Sequence, residues 1–434
     1  MSGAARSAHL DHHRRSGRHS WVRSSFRNLL LRLGFEERVR SHWTTGARQL
    51  GSPSQVRKTA ITMPKDYIRR QRMSRNISNF VIVALLSVGA AYVITRPTGG
   101  NGFSLSAELQ RPLAGPVTAS NAVVDTSGYS RVEGPLPVSE VSDLVLHDGN
   151  RNKDLHVRVF YPEKAGRYPV IVFSHGAGGS QACCDSLTRH WASYGYITVQ
   201  PTHQDSALAR RNGGEESIRF TEAVRDALKK PAMWESRPED ISFVLDSLPA
   251  LEQRIPALGG EIDAVHIGVA GHSMGAYTAE AIAGALIDLP SRKSANFIDS
   301  RVRAVLCLSP QGPGQFGLTE HSFDRISLPY LGVTGSLDSL GPASPAWHKV
   351  PFDRSLGGDK YHLFIQGASH MSFIGPSAAT TASEGEAEAI LGYTNSASLA
   401  FWDAYLKGDS AAKSYLASDH LAAQSHHAVT LDRR

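Results

Sequence analysis

The chain has 434 residues, of which 41% are hydrophobic and 20% are charged, so it is long enough to bury a sizeable core. Three cysteines are too few for a disulfide framework. The net charge of +6 is unevenly spread, because residues 1–76 hold 17 Lys and Arg against 4 Asp and Glu, whereas residues 77–434 hold 29 against 36. The basic character therefore describes the N-terminal part of the chain, and only one foldable unit is predicted after it.

Residues 1–76 are rich in Arg, Ser and His and lack apolar periodicity, which predicts a disordered basic region. Met63 or Met73 would be a more ordinary start, so the first 62 residues are either a mis-assigned start or an extension. We expect neither a metal at the histidines of this tail nor a nucleic-acid partner. A membrane segment with positive flanks explains the charge nearest to it more simply.

An uncharged apolar run, 80–94, forms the centre of a segment 77–95 that has about 19 residues, just enough to cross a bilayer. The basic cluster between Lys65 and Arg75 precedes it, which predicts a cytoplasmic N-terminus and a catalytic part outside the cytoplasm. A cleaved signal peptide is the alternative, and a buried core helix is a third interpretation. Residues 96–140 are rich in Gly, Ser and Pro and are predicted to be a linker.

Beyond the linker, apolar strands alternate with helical patterns, which predicts an α/β fold with a mostly parallel sheet and helices on both faces. The predicted strands are 141–147, 154–161, 168–174, 196–200, 264–270, 302–308, 328–334 and 361–366. The predicted helices are 184–194, a segment that begins with a capping box from Ser236 to Glu239, and 276–286. The domain is expected to span 141–410 and to be followed by a C-terminal tail, 411–434.

A G-x-S-x-G motif, Gly271-His272-Ser273-Met274-Gly275, stands between the predicted strand 264–270 and the predicted helix 276–286. Such a junction forms a strained turn that lifts a nucleophilic serine hydroxyl clear of the sheet. Gly271 and Gly275 leave room for the turn and for the close approach of helix and strand. His272 is expected to pack beneath the turn rather than to act as a base.

A serine hydroxyl becomes a nucleophile when a histidine takes its proton and an acid orients that histidine. Asp338 follows the predicted strand 328–334 and His370 follows 361–366, so both lie at strand ends, where open α/β sheets place their ligands. Asp353 and Asp359 are rival acids, but neither directly follows a strand. We therefore predict a catalytic triad of Ser273, Asp338 and His370.

An oxyanion hole needs backbone N–H groups aimed at the developing negative charge. Met274, directly after the nucleophile, is one predicted donor. The other is expected in the glycine-rich loop after strand 168–174, where His175 and Gly176 precede Ala177. Ala177 is the predicted donor and Gly178 the alternative. No zinc, nucleotide or P-loop signature appears, and no metal or cofactor is expected.

The cysteines offer no clear chemistry. Cys183 and Cys184 are adjacent, and free thiols are favoured over a strained vicinal bridge. Cys307 lies in a predicted core strand and is expected to contribute packing.

Four motifs, 173–179, 271–275, 334–338 and 367–370, together resemble the dienelactone-hydrolase-like branch of the α/β-hydrolases. Within that branch the chain is most similar to platelet-activating-factor acetylhydrolases and cutinase-like serine esterases, over roughly residues 140 to 410. The resemblance implies an oxyanion N–H at Ala177. Ser273 stands where dienelactone hydrolases have cysteine, which argues against their reaction.

The favoured interpretation is a serine carboxyl-ester hydrolase acting on short-chain or soluble small-molecule esters, either anchored through its N-terminal segment or exported. A lipase, phospholipase or polyester hydrolase of the same fold is one alternative. A non-catalytic binding protein is another, because a fold does not fix a function. The physiological ester and the oligomeric state do not follow from the sequence.

Overall fold

The computed structural model describes residues 129, 132–339, 343–375 and 383–434, and within them one sheet has nine strands in the order β1-β2-β4-β3-β5-β6-β7-β8-β9. The strands are β1 (Val138–Asp148), β2 (Lys153–Pro162), β3 (Tyr168–Ser174), β4 (Ile197–Pro201), β5 (Ile262–His272), β6 (Val302–Leu308), β7 (Tyr330–Leu337), β8 (Lys360–Ser369) and β9 (Val429–Arg433). Strands β3 to β8 pair in parallel, and the β1–β2, β2–β4 and β8–β9 pairs are antiparallel. The predicted mostly parallel sheet is confirmed.

Helices connect most of the parallel strands, although the β6–β7 connection contains none. They are α1 (Asp185–Ser193), α2 (Ala207–Asn212), α3 (Phe220–Lys229), α4 (Pro231–Asp246), α5 (Leu248–Arg254), α6 (Met274–Ile282), α7 (Pro345–Arg354), α8 (Glu384–Leu406), α9 (Ser410–Ala417) and α10 (His420–Gln424).

The central strands are apolar on both sides because each face of the sheet carries its own core. One cluster joins strand residues such as Val172 and Val269 to α4 and α6. The other joins Ile171 and Ala270 to α1 and α8, where the rings of Trp191 and Trp402 meet edge to face at 5.7 Å. Alternate residues along β3 and β5 thus serve opposite cores, and the sheet is a rigid platform for the loops at its carboxyl edge.

Two element ends differ from the sequence prediction. The helix after the 271–275 turn, called the elbow below, ends at Ile282 and not at Leu286, because Gly284 adopts a φ of +107° and turns the chain away. Residues 411–434, expected to be a tail, instead form most of α9, all of α10 and the edge strand β9. The folded domain therefore continues to the last residues.

The helix expected to begin at Ser236 begins five residues earlier, at Pro231, and Pro238 lies inside it. A proline at the first position is as favourable a start as a capping box, since its missing N–H has no intrahelical acceptor. Pro238 leaves the carbonyl oxygen of Trp234 without its helical donor, and the Tyr277 hydroxyl donates to that oxygen at 3.1 Å. The Ser236 hydroxyl accepts from Nζ of Lys153 at 2.9 Å instead of capping.

The insertion between β4 and α4 carries the two short helices α2 and α3. Its charges pair largely with one another: Arg210 contacts Glu215 and Asp226 at 2.6 and 3.0 Å, and Arg219 contacts Glu222 at 2.8 Å. The surface of the insertion is therefore rich in paired charges, although Leu208 and Leu228 are also exposed on it.

The basic region 1–76 and the apolar segment 77–95 lie outside the described residues, as does most of the linker 96–140. Within the described part of the chain, no helix is both long enough and apolar enough to span a membrane.

Candidate active site

Ser273 lies at the junction of β5 and α6 in a strained backbone conformation, with φ +57° and ψ −118°. This conformation is the one expected of a sharp strand-to-helix turn. A Cβ on Gly271 would collide with the backbone of Gly275, and a Cβ on Gly275 would collide with the carbonyl of Ser174. The two glycines of the motif are therefore required by close packing of β3, β5 and α6.

Asp338 follows β7 and His370 follows β8, and the structure brings them together. Nδ1 of His370 lies 2.9 Å from Oδ1 of Asp338, and Asp338 is completely buried. The other carboxylate oxygen accepts hydrogen bonds from the hydroxyls of Ser309 and Thr334, both at 2.8 Å. Burial alone would raise the pKa of Asp338, but contacts with His348 and His370 hold it well below its usual value. The residue is therefore a fixed, ionised partner for His370.

The far nitrogen of His370, Nε2, is buried and has no hydrogen-bond partner among the described residues. An imidazole whose Nδ1 donates to a carboxylate presents a basic Nε2. His272, the residue before Ser273, supports this arrangement, because its Nε2 lies 2.9 Å from the backbone oxygen of His370. Burial lowers the pKa of His272 to about 3, so it stays neutral and donates that hydrogen bond. His272 thus packs beneath the turn and ties the elbow to the His370 loop.

The glycine-rich loop after β3, residues 175–179, is called the oxyanion loop below and lies against the elbow, since Gly176 is close to His272 and Ser273. Gly178 donates its N–H to Oδ2 of Asp205 at 2.9 Å, which leaves it unavailable to a ligand. In the described part of the chain, the N–H groups of Ala177 and Met274 have no acceptor. Ala177 and not the alternative Gly178 therefore has the unoccupied donor that an oxyanion hole needs.

A buried ion pair behind this loop fixes its peptide groups. Arg237 makes a bidentate contact with Asp205, at 2.9 Å from Nε and 2.8 Å from Nη2, and both side chains are only 1% exposed. The same guanidinium donates to the carbonyl oxygens of His175 and Gly176 at 2.6 and 3.2 Å. Burial raises the pKa of Asp205, but Arg237 more than offsets this and keeps the carboxylate ionised. The Arg237–Asp205 pair thus holds the loop on both sides of Ala177.

His175 and His203 extend this network under the sheet edge. Nε2 of His175 accepts from the backbone N–H of His203 at 3.0 Å, and Nδ1 of His203 lies 2.9 Å from Asp240. Nζ of Lys153 lies 2.6 Å from the same aspartate. Burial, followed by the charge of Arg237, lowers the pKa of both histidines. His175 is therefore a neutral structural member of the loop.

A second histidine contacts the acid. Nε2 of His348, on α7, lies 3.2 Å from Oδ1 of Asp338, and its Nδ1 lies 2.5 Å from the carbonyl oxygen of Pro310. Asp338, His348 and His370 are close enough to act as metal ligands, since one ligand atom of each lies within 4.8 Å of the others. Nδ1 of His370 is paired with Asp338, and Nδ1 of His348 is paired with the carbonyl oxygen of Pro310.

The rival acids lie elsewhere. Asp353 pairs with Lys349 at 3.9 Å and Asp359 pairs with Lys413 at 3.4 Å, both in largely exposed positions. Cys183 and Cys184 are free thiols whose sulfur atoms lie 3.2 Å apart, and Cys307 is a buried free thiol in β6.

Sequence reasoning missed the residues that support the site, namely His348, Arg237, Asp205, His203 and Asp240. One signal was available: His203 and Asp205 directly follow β4 and so lie at the same sheet edge as the predicted triad. Arg237 and His348 carried no such signal, because both lie within helices.

A cavity of about 160 Å³ opens beside the oxyanion loop, between that loop and the insertion. Its walls are contributed by Gly176, Gly178, Gly179, Ser180, Ala182, Cys183, Ala207, Leu208, Arg211, Phe220, His272 and Ile374. Most of these are small or apolar, as expected for a ligand pocket.

A nine-stranded, mostly parallel sheet, with a serine at a strand-to-helix elbow and a histidine and an aspartate at two later strand ends, is the arrangement of an α/β-hydrolase. Comparison with known proteins agrees: a family model described as chlorophyllase matches residues 139–298. The resemblance predicted from the four motifs is thereby confirmed.

Two curated relatives are similar to the chain. Cutinase est2 of Thermobifida alba is 24% identical over 216 residues, which cover 49% of this chain and 56% of the relative. Platelet-activating factor acetylhydrolase of Cavia porcellus is 22% identical over 277 residues, which cover 56% of this chain and 59% of the relative. The chain thus spans somewhat more than half the length of the relatives that it matches.

Proposed function

We propose that the protein is a serine carboxyl-ester hydrolase. Ser273 attacks the ester carbonyl while Nε2 of His370 takes its proton, and Asp338 stabilises the resulting imidazolium. The N–H groups of Ala177 and Met274 bind the oxyanion. His370 then protonates the leaving alcohol, and water hydrolyses the acyl-enzyme by the same steps.

One observation carries this proposal: the Asp338–His370 hydrogen bond of 2.9 Å lies at the edge of the sheet where the strained Ser273 turn ends β5, with Nε2 of His370 unpartnered in the described residues. The N–H groups of Ala177 and Met274, which have no acceptor among the described residues, support the proposal separately, because acyl transfer requires such donors. The relatives named as a cutinase and an acetylhydrolase support the same class of reaction.

A fluorophosphonate probe tests the mechanism, because it is captured only by a serine whose hydroxyl is activated. We expect covalent labelling of the folded chain, loss of labelling in Ser273→Ala, and much slower labelling in His370→Ala, which keeps the serine but lacks the base. Undiminished labelling of Ser273→Ala would assign the nucleophile elsewhere. A folded wild-type chain that neither reacts nor hydrolyses esters would favour a binding protein.

We further propose that the preferred esters are soluble and have short acyl groups. The cavity beside the site holds about 160 Å³, and the insertion that borders it presents mainly paired charges, with Leu208 and Leu228 as its exposed large hydrophobic side chains. A lipase-type surface that opens on oil would expose a contiguous apolar face.

We propose that the catalytic domain acts outside the cytoplasm, held by or released from the segment 77–95. The support is the apolar run with basic residues before it. Alkaline phosphatase is active only in an oxidising compartment. A fusion of this enzyme after Glu140 should therefore be active. An inactive fusion, with the native protein in the soluble cytosol, would contradict the proposal.

A further inference from the structure

The cavity beside the oxyanion loop contains one strongly basic side chain, Arg211, at the end of α2. None of the other lining residues is acidic, and the only other ionisable groups are His272 and the Cys183 thiol. Burial keeps His272 neutral by lowering its pKa to about 3. The positive charge in this cavity therefore comes from Arg211.

Arg211 differs from the neighbouring arginines of the insertion. Arg210 and Arg219 each have a carboxylate within 2.8 Å, and Arg225 has Asp226 at 3.8 Å. Arg211 has no ion pair with any described residue, and its one hydrogen bond runs from Nε to the carbonyl oxygen of Ala207 at 3.1 Å. Both terminal amino groups of its guanidinium remain available.

Arg211 lies in the same cavity as part of the oxyanion loop. Gly176 and Gly178 of the oxyanion loop line the same cavity, so a ligand whose reacting carbonyl lies at the loop extends toward Arg211. A guanidinium fork matches the paired oxygens of a carboxylate or a phosphate. The remaining walls include Leu208, Phe220 and Ile374, which suit a short hydrocarbon spacer.

We infer that the enzyme prefers esters with an anionic group a short distance from the ester bond, and that Arg211 binds that group. The inference rests on the proposed esterase function and narrows its substrate class. Arg211 is a specificity-determining residue in this scheme, and it takes no part in the bond-breaking steps.

Matched ester pairs test the inference. On the acyl side, mono(4-nitrophenyl) glutarate is compared with its neutral methyl-capped ester, and on the alcohol side 4-acetoxybenzoate is compared with methyl 4-acetoxybenzoate. The readout is the ratio of kcat/KM for the anionic and the neutral member. We expect the wild type to favour the anionic member of at least one pair by about fivefold to tenfold, with a smaller preference at high salt. Inhibition by glutarate or by inorganic phosphate then distinguishes a carboxylate site from a phosphate site.

Three variants complete the test. Arg211→Gln should abolish the preference and Arg211→Glu should reverse it. Arg225→Gln, a neighbouring arginine outside the cavity, should keep the wild-type ratio. Equal ratios in the wild type and Arg211→Gln would overturn the inference while leaving the esterase proposal intact. Failure of every variant and of the wild type to hydrolyse either member of a pair would refute the proposed function instead.

Discussion

Nε2 of His348 lies 3.2 Å from Oδ1 of Asp338, the same oxygen that lies 2.9 Å from Nδ1 of His370. The carboxylate thus has two histidines on one oxygen and two hydroxyls on the other. The other ring nitrogen of His348 faces the carbonyl oxygen of Pro310, which only accepts hydrogen bonds. Both ring nitrogens of His348 therefore lie next to oxygen atoms, one of which belongs to Asp338, so this residue supports the acid.

His348→Gln should therefore make the enzyme more sensitive to acid. Burial raises the pKa of Asp338, and the contact with His348 is the first of those that bring it below the usual value. A depressed pKa contributes stability above the unfolded-state pKa, and that stability is lost as the pH falls. Without His348 the pKa of Asp338 rises, so activity and folding should fail at a higher pH than in the wild type.

Measurements of kcat/KM and tryptophan fluorescence from roughly pH 2.5 to 7 check this, since carboxylates titrate in that range. His321→Gln, at an exposed site, is the matched control. An unchanged acid midpoint would contradict the role of His348.

The loss of activity on substitution should distinguish the predicted triad residues from the rival acids Asp353 and Asp359. Ser273→Ala and His370→Ala should each lower kcat on the order of 10⁴-fold or more, because triad members act as a unit. Asp338→Asn should lose somewhat less. Asp353→Asn and Asp359→Asn should retain activity, since these residues pair with Lys349 and Lys413 and not with His370. Steady-state ester hydrolysis, with circular dichroism to confirm folding, provides the comparison. A large loss of kcat in Asp353→Asn or Asp359→Asn would show that the acid is assigned to the wrong residue.

Asp205→Asn should impair catalysis through the oxyanion loop. The substitution weakens the bidentate contact with Arg237 and the hydrogen bond from Gly178, so the Ala177 N–H is no longer held in place. Loss of one oxyanion donor costs about 10²-fold to 10³-fold in kcat, and partial misplacement should cost about 10-fold to 100-fold with little change in KM. Asp299→Asn removes a carboxylate that pairs with Arg301 away from the loop, and it controls for lost stability. Equal kcat values in the two variants would argue against the positioning role.

Glu280 should make the protein less stable as the pH rises. It is buried in α6 without a cationic partner among the described residues, and burial raises its pKa well above the usual value. The folded state then holds a proton that the unfolded state releases above about pH 4.3, so stability falls between the two pKa values. Glu280→Gln imitates the protonated form. Its Tm should equal that of the wild type near pH 4 and exceed it increasingly toward pH 8, whereas the exposed Glu388→Gln should show no such trend. A constant difference in Tm across this range would contradict the prediction.

Acyl-chain length should follow the size of the cavity. Acetyl and butyryl nitrophenyl esters should be hydrolysed in preference to the palmitoyl ester, without a jump in rate when droplets form. The cavity of about 160 Å³ beside the oxyanion loop limits the acyl chain, and the paired charges of the insertion do not favour binding to a droplet. Rates measured below and above the dispersion limit check both statements. A palmitoyl preference with interfacial activation would favour the lipase alternative.

The strands were predictable because each buried strand is a short apolar run bounded by turn residues. β3 and β6 match their predicted ranges residue for residue. The proximity of Asp338 and His370 could be predicted in the same way, because the carboxyl ends of neighbouring parallel strands meet at one sheet edge. The start of α4 was not, since the spacing of Ser236 and Glu239 fits any helical turn as well as a capping box, and Pro231 supplied a competing start.

The supporting residues could not be predicted for a different reason. Arg237 is a charged residue that is 1% exposed, and a charge in an amphipathic helix ordinarily indicates a solvated face. The buried Asp205, 32 positions away, and the carbonyl oxygens of the glycine-rich loop explain its location, and these contacts depend on the tertiary packing of α4. His348 likewise becomes informative only when α7 is folded against β7.

The edge strand β9 ties the end of the chain to the strand that leads to His370. Val429 pairs with Ile365, the N–H of Gln366 donates to the carbonyl of Ala428, and Arg434 exchanges both backbone hydrogen bonds with Lys360. Deletion of the last six residues would leave the alternating hydrophobic strand β8 as an open edge, a template for pairing with another molecule. Affinity tags and reporter fusions at this end consequently need a flexible spacer. A variant with a shortened C-terminus should aggregate before its catalytic constants change.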